Sequence, residues 1–228
     1  MCKALLRLRR SLGAALLATA LTAGAASDVF LEKLTALQVQ LSRNPTNILT
    51  LFMLGDLCHD EGVKDNPQAV VMAEQYFRQV LALDDKHALA LVLLGSTYTM
   101  KGSDALWPPK RIELVKEGNR QMDVAVRLAP EDPQVRFARA INNFHMPKWL
   151  GREQIVQTDF AWLWEKVRAK PNAFAIDFRQ DVALHHGLVL KRHKRPDDAV
   201  AVWQAGLEFN PSSTLAGQIR QQSDQTHR

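Results

Sequence analysis

Apolar residues recur along most of the chain at steps of three and four, the spacing that lines one face of an α-helix. Leu31, Leu34, Leu37 and Leu41 form one such stripe. Ile48, Leu51, Phe52 and Leu54 begin a second, and Val71, Ala73, Phe77, Val80, Leu81 and Leu83 make a third. The pairing recurs with Leu89, Leu91, Val92 and Leu94, followed by Ile112, Leu114, Val115, Met122, Val124, Ala125 and Leu128. Junctions interrupt the stripes at Asn44-Pro45, Asp84-Asp85, Ala129-Pro130, Lys170-Pro171 and Asn210-Pro211, and their second residues lie 40, 45, 41 and 40 apart. Proline cannot continue a helix interior but suits the first turn of the next helix, so recurring prolines mark recurring helix ends. The chain therefore reads as repeated helix pairs, each too thin to bury its apolar face alone and so stacked on its neighbours.

Within the units, the spacing of particular residues resembles the tetratricopeptide repeat family. Leu54-Gly55, Ala73, Phe77 and Asp85 follow its pattern in the first unit, and Leu94-Gly95, Tyr98, Gly118, Ala125 and Pro130 in the second. The last unit has His186-Gly187, Ala199, Trp203, Gly206 and Pro211. Small residues at these places let crossing helices approach closely. The third unit departs from the pattern: Ala140 stands where Gly is usual, Asp159 where a small residue belongs, and residues 146–151 replace a simple turn. Gly62-Val63 with Asp65 also resembles the related Sel1-like repeats.

The resemblance implies an all-α, right-handed α-solenoid of about four helix–turn–helix repeats over residues 27–220. A capping helix is expected over residues 27–41, a short helix over 215–220, and a polar, frayed tail over 221–228. Surplus length falls between paired helices at 62–67 and 102–110, and before the motif in the fourth unit, which implies a long first helix over about residues 173–192.

Composition changes the picture at one place. The formal charge is +5, but Lys3, Arg7, Arg9 and Arg10 stand in an acid-free N-terminus, so residues 27–228 carry about +1. That removes the electrostatic basis for nucleic-acid binding. The basic start, the apolar run from Leu12 to Leu21 and the small residues Ala23-Gly24-Ala25 have the layout of a secretory signal, expected to be cleaved near residue 25 or 26. A mitochondrial transit peptide, a twin-arginine signal and an uncleaved anchor are the rival readings. No later stretch approaches the apolar length of a membrane span. An exported bacterial-type protein, periplasmic or secreted, is the expectation.

Candidate chemistry is sparse. His185, His186 and His193 lie up to two helical turns, roughly 11 Å, apart, too far to share one ion, and no closed metal-ligand set or phosphate-cradling loop occurs. Neither a metal nor a cofactor is expected. Cys58, the one cysteine after the N-terminal segment, falls at a helix-packing position and reads as an inert buried thiol. The acid pairs Asp84-Asp85, Glu131-Asp132 and Asp197-Asp198 read as helix caps. Trp107, between Leu106 and Pro108-Pro109, and Trp149, Trp162 and Trp164 are expected to pack.

In the family, the first helices of the pairs line a concave face that meets the partner. Carried over position by position, the resemblance implies a partner-binding surface of Phe52, Asp56, Val92, Ser96, Phe137, Ile141, Phe144, Leu184, Leu188 and Lys191, with Leu49, His59, Asp60, Leu89, Thr99, Met100, Gln134, His145, Asp181 and Arg192 at the remaining matched positions. Phe137 and Phe144, seven residues apart and thus on one helical face, are the expected anchors. This mixed surface suits a protein or peptide, not a nucleic acid. The function expected is that of a non-enzymatic scaffold, with an accessory assembly subunit or a small-molecule or lipid binder as alternatives.

Overall fold

The computed structural model describes residues 28–226, so the expected signal segment lies outside the described residues. These residues form ten α-helices and no strand: α1 (28–43), α2 (Ile48–Gly62), α3 (Pro67–Leu83), α4 (Ala88–Asp104), α5 (Pro108–Leu128), α6 (Pro133–Phe144), α7 (Glu153–Ala169), α8 (Ile176–Arg192), α9 (Pro196–Phe209) and α10 (Thr214–Asp224). Helices pair as α2–α3, α4–α5, α6–α7 and α8–α9, and each pair stacks on the next. This is the expected right-handed solenoid of four helix pairs with a helix at each end.

All five expected junctions are turns between helices. The helices start where sequence chemistry allows. Pro67, Pro108, Pro133 and Pro196 occupy first-turn positions, where a missing N–H costs nothing. The side chains of Asn47, Asn66, Asp132 and Ser213 accept from free backbone N–H groups of the helices they precede. Of the acid pairs, only Asp132 caps with its side chain. His87 Nδ1, not Asp85, caps α4, and Asp84 Oδ1 accepts from Lys86 N inside the turn. Asp197 and Asp198 stand in the first turn of α9, where they complement its dipole.

Other boundaries differ from expectation. Residues 171–173 form a separate 3-10 turn and Phe174 is extended, so α8 begins at Ile176 rather than near 173. At the end, α10 runs to Asp224, past the expected limit at residue 220. In α1 the buried stripe is Phe30, Leu34, Leu37 and Leu41; Leu31 faces outward. The irregular α6–α7 connection holds a 3-10 turn, Lys148–Leu150, closed by Gly151 at φ 70°, a conformation that favours glycine.

Three apolar clusters fill the interior. One joins α1 to α4 around Leu51, Leu54, Phe77 and Val80. A smaller one joins α4, α5 and α6 around Val92, Met122 and Val135. The third joins α6 to α10 around Phe160, Leu163, Val182 and Trp203. At Asp159, where the pattern calls for a small residue, a fully buried carboxylate accepts from Arg136 at 2.9 Å and from Arg139 at 2.8 and 2.9 Å. Arg139 also reaches Asp123, which Arg152 grips with two bonds of 2.6 and 2.8 Å. The third unit thus fills the helix crossing with paired charge instead of closing it with glycine.

Candidate functional site

The first helices α2, α4 and α6 lie side by side, each touching the next, and since the C-terminal halves of all three line one cleft they run in the same direction. Their inward faces and the connections that follow them enclose a cleft of about 690 Å³. The sequence periodicity that buries Leu54, Cys58, Leu94 and Tyr98 on one side of these helices turns Asp56, His59, Asp60, Ser96, Thr99 and Met100 to the other, and all six line the cleft. Phe137, Ile141, Asn142 and His145 of α6 and its C-terminal cap close it.

Its floor is an ordered polar chain. Asn142 Nδ2 donates to Ser96 Oγ at 3.0 Å and to Thr99 Oγ1 at 2.8 Å, and Thr99 Oγ1 donates to the Ser96 carbonyl at 2.7 Å. Ser96 Oγ lies 2.9 Å from His59 Nε2. Among the described residues, His59 Nδ1 and Asn142 Oδ1 have no hydrogen-bond partner. Beside them, burial pushes the Asp56 carboxyl above its ordinary pKa, and the Asp60 charge pushes the same way against the opposing influence of His59.

Of the ten residues named first for the expected surface, Asp56, Ser96, Phe137 and Ile141 meet in the cleft and the other six lie elsewhere; of the remaining matched positions His59, Asp60, Thr99, Met100 and His145 line it, and Leu49, Leu89, Gln134, Asp181 and Arg192 do not. Val92 has no exposed surface and Leu184 almost none; both are core. Phe52 stacks on the His87 ring at 5.1 Å between centroids. Leu188 packs against the α6–α10 cluster, and Lys191 Nζ lies 5.9 Å from the Trp203 ring. Phe144 is covered: the Arg192 guanidinium stacks 3.9 Å above its ring and donates to its carbonyl at 3.0 Å. Asn142 carries the floor and was missed, because it stands between the carried-over positions and shows its role only through partners more than forty residues away.

The remaining candidates resolve individually. Cys58 is fully buried, and burial pushes its thiol up to about 11, which keeps it protonated and inert at neutral pH. His185 pairs with Asp181, His186 lies against Trp164, and His193 bonds Gln157 and Glu153, so the three serve different neighbours. Trp164 is buried, and Trp162 lies beneath Arg136 and Lys166. Contrary to expectation, Trp107 is 68% exposed and Trp149 74%; both stand in connections rather than on a packed helix face, Trp107 at the N-cap of α5 and Trp149 in the 3-10 turn between α6 and α7. No helix of the described residues is long and apolar enough to cross a membrane.

No protein-family model matches the sequence, and no curated protein does. Solved structures do match. A tetratricopeptide-repeat protein of Thermus thermophilus, TTC0263, superposes with a TM-score of 0.66 at 14% identity, over 89% of this chain and 92% of that one. A MamA structure matches with a TM-score of 0.50 at 18% identity, over 80% of this chain and 89% of its own. Identities this low speak for the fold alone. The repeat spacing, the paired helices and the superposition agree that this chain folds as a tetratricopeptide-repeat solenoid.

Proposed function

We propose that the protein is a non-enzymatic, exported scaffold that binds a protein or peptide segment in the cleft of its concave face. The observation that carries this reading is the convergence of Asp56, Ser96, Phe137 and Ile141, from three successive repeats, on one open cleft with an ordered polar floor and apolar walls. Export rests on the basic and apolar pattern of the N-terminus. Capture from the native envelope fraction tests the reading. A bound protein recovered with the wild-type chain should be depleted with Ile141→Ala and with Met100→Ala, both checked for unchanged melting. Equal recovery with all three overturns cleft binding, and an intact Met1 on protein from the native source overturns export.

A second reading, an accessory subunit that assembles through its edge, has its own observation. Because α2, α4 and α6 are parallel, the connections after them share one edge, and Val63, Leu106, Trp107 and Trp149 stand exposed there. Loss of capture with Trp107→Ser and Trp149→Ser, but not with the cleft variants, favours assembly over peptide binding.

A further inference from the structure

Four carboxylates line the cleft, Asp56, Asp60, Asp65 and Asp104, and no lysine or arginine does. Among the described residues, none of the four has a lysine or arginine within ion-pair distance; the nearest basic group is His59 Nδ1, 3.9 Å from Asp60. This is unlike the rest of the chain. Asp123, Asp159, Glu74 and Glu153 are each sheltered and each held by arginine or lysine. The full sequence has 29 basic residues to 24 acidic ones, so cations are not scarce.

Among the described residues, the uncharged polar groups of the cleft are also incompletely met. His59 is 9% exposed and lines the cleft, its Nε2 engaged by Ser96 and its Nδ1 without a partner. Asn142 fixes both hydrogens of its amide on Ser96 and Thr99 and leaves Oδ1 unmet. Polar groups held in place yet unsatisfied cost stability that a ligand recovers. Leu93, Phe137 and Ile141 also line the cleft and give it apolar surface beside these polar groups.

We infer that the occupant of the cleft is a peptide segment presenting a lysine or arginine next to an apolar side chain, with the cation seated at Asp56 and Asp60. The inference rests on the cleft reading above and names the chemistry of its partner. An incoming cation relieves the repulsion between the two carboxylates and compensates the burial of Asp56. A bare metal ion fits poorly, because the described residues hold no group of three side chains able to ligate one.

The test is to pan a library of random linear peptides against the full chain at low ionic strength. The best binder is then synthesised, together with a version in which its basic residues are glutamine. Expected are binders enriched in Lys or Arg beside an apolar residue. Their affinity should fall about tenfold or more with Asp56→Asn/Asp60→Asn and with glutamine replacement, and should weaken as salt rises. Asp60, whose side chain is 74% exposed, supplies a single variant, Asp60→Asn, that leaves the packing alone. Neutral or acidic binders that weaken with Ile141→Ala but not with the Asp variants overturn the cation and leave the cleft reading standing. Binders indifferent to every cleft variant, or no binders, overturn both.

Discussion

At Gly95 and Gly118 the backbones of α4 and α5 cross in direct contact, and one added carbon there measures how firmly the pair is joined. A Cβ built on Gly95 would lie 2.6 Å from the Gly118 carbonyl oxygen, 2.7 Å from Met122 Cγ and 3.1 Å from Met122 N. Two of these three atoms are backbone, so relief requires the helices themselves to part. The reciprocal carbon on Gly118 would strike the Gly95 carbonyl. Overpacking of this kind costs about 1–3 kcal/mol. Alanine regains about 1 kcal/mol of helix propensity over glycine, which leaves a net loss of about 0–2 kcal/mol for Gly95→Ala; because two of the three clashing atoms are backbone, which yields least, the upper half of that range, about 1–2 kcal/mol, is expected. In a chain of this size each kcal/mol lowers the midpoint by about 2–4 °C, so Gly95→Ala should melt about 2–8 °C below wild type and Gly95→Leu lower still. Thermal unfolding followed by circular dichroism reads this directly, with the exposed Lys116→Ala as control. A Gly95→Ala variant that melts at or above the wild-type temperature would refute the assigned crossing.

Three further outcomes are expected. Asp159→Ala takes from Arg136, largely buried, its carboxylate partner and leaves Arg139 only its bond to Asp123, and should cost about 3–5 kcal/mol; a denaturant midpoint unchanged from wild type would contradict the network. His186 is held by burial, and secondarily by the Arg195 charge, at a pKa of about 4 against an ordinary 6.5. Between those values the unfolded chain binds the extra proton, so stability falls as pH falls through the window, by on the order of 3 kcal/mol in full. His186→Gln should flatten that part of the stability-against-pH curve, and an unaltered slope would rule the histidine out. Cys58 should react with a thiol reagent at neutral pH only as fast as the protein unfolds, and rapid labelling of native protein would show an accessible thiolate.

What can be read from the sequence is what is local. Prolines and Asx or Ser caps act within a few residues, so the turns near Pro45, Asp85, Pro130, Pro171 and Pro211 show directly in the spacing of the chain. The glycine crossings are also visible there, as small residues at fixed offsets. Contacts between distant segments are not. Phe144 has the spacing of a surface anchor, yet Arg192, 48 residues on, lies across it. Trp107 and Trp149 depart from expectation because burial of a large aromatic is an average tendency, and both stand in connections rather than on a packed helix face. The polar chain from His59 through Ser96 to Asn142 links three repeats and has no signature in any one of them.

The paired charges of the third unit have a mechanical consequence. Apolar burial is indifferent to direction and lets helices slide or tilt at small cost, whereas a two-pronged guanidinium grip on a carboxylate holds only over a narrow range of angles. Arg139 grips Asp159 on α7 and reaches Asp123 on α5, while Arg152 clasps Asp123 and donates to Asn143 on α6. The large oily blocks on either side are therefore riveted at a fixed angle in the middle of the solenoid, across the smallest of its three cores. Ile141 and Asn142 hang from α6, while Asp56 and Ser96 stand on α2 and α4, so the angle of that joint sets the gape of the cleft. The jaw is tuned from behind, by Asp123, Arg139, Arg152 and Asp159, none of which lines the cleft.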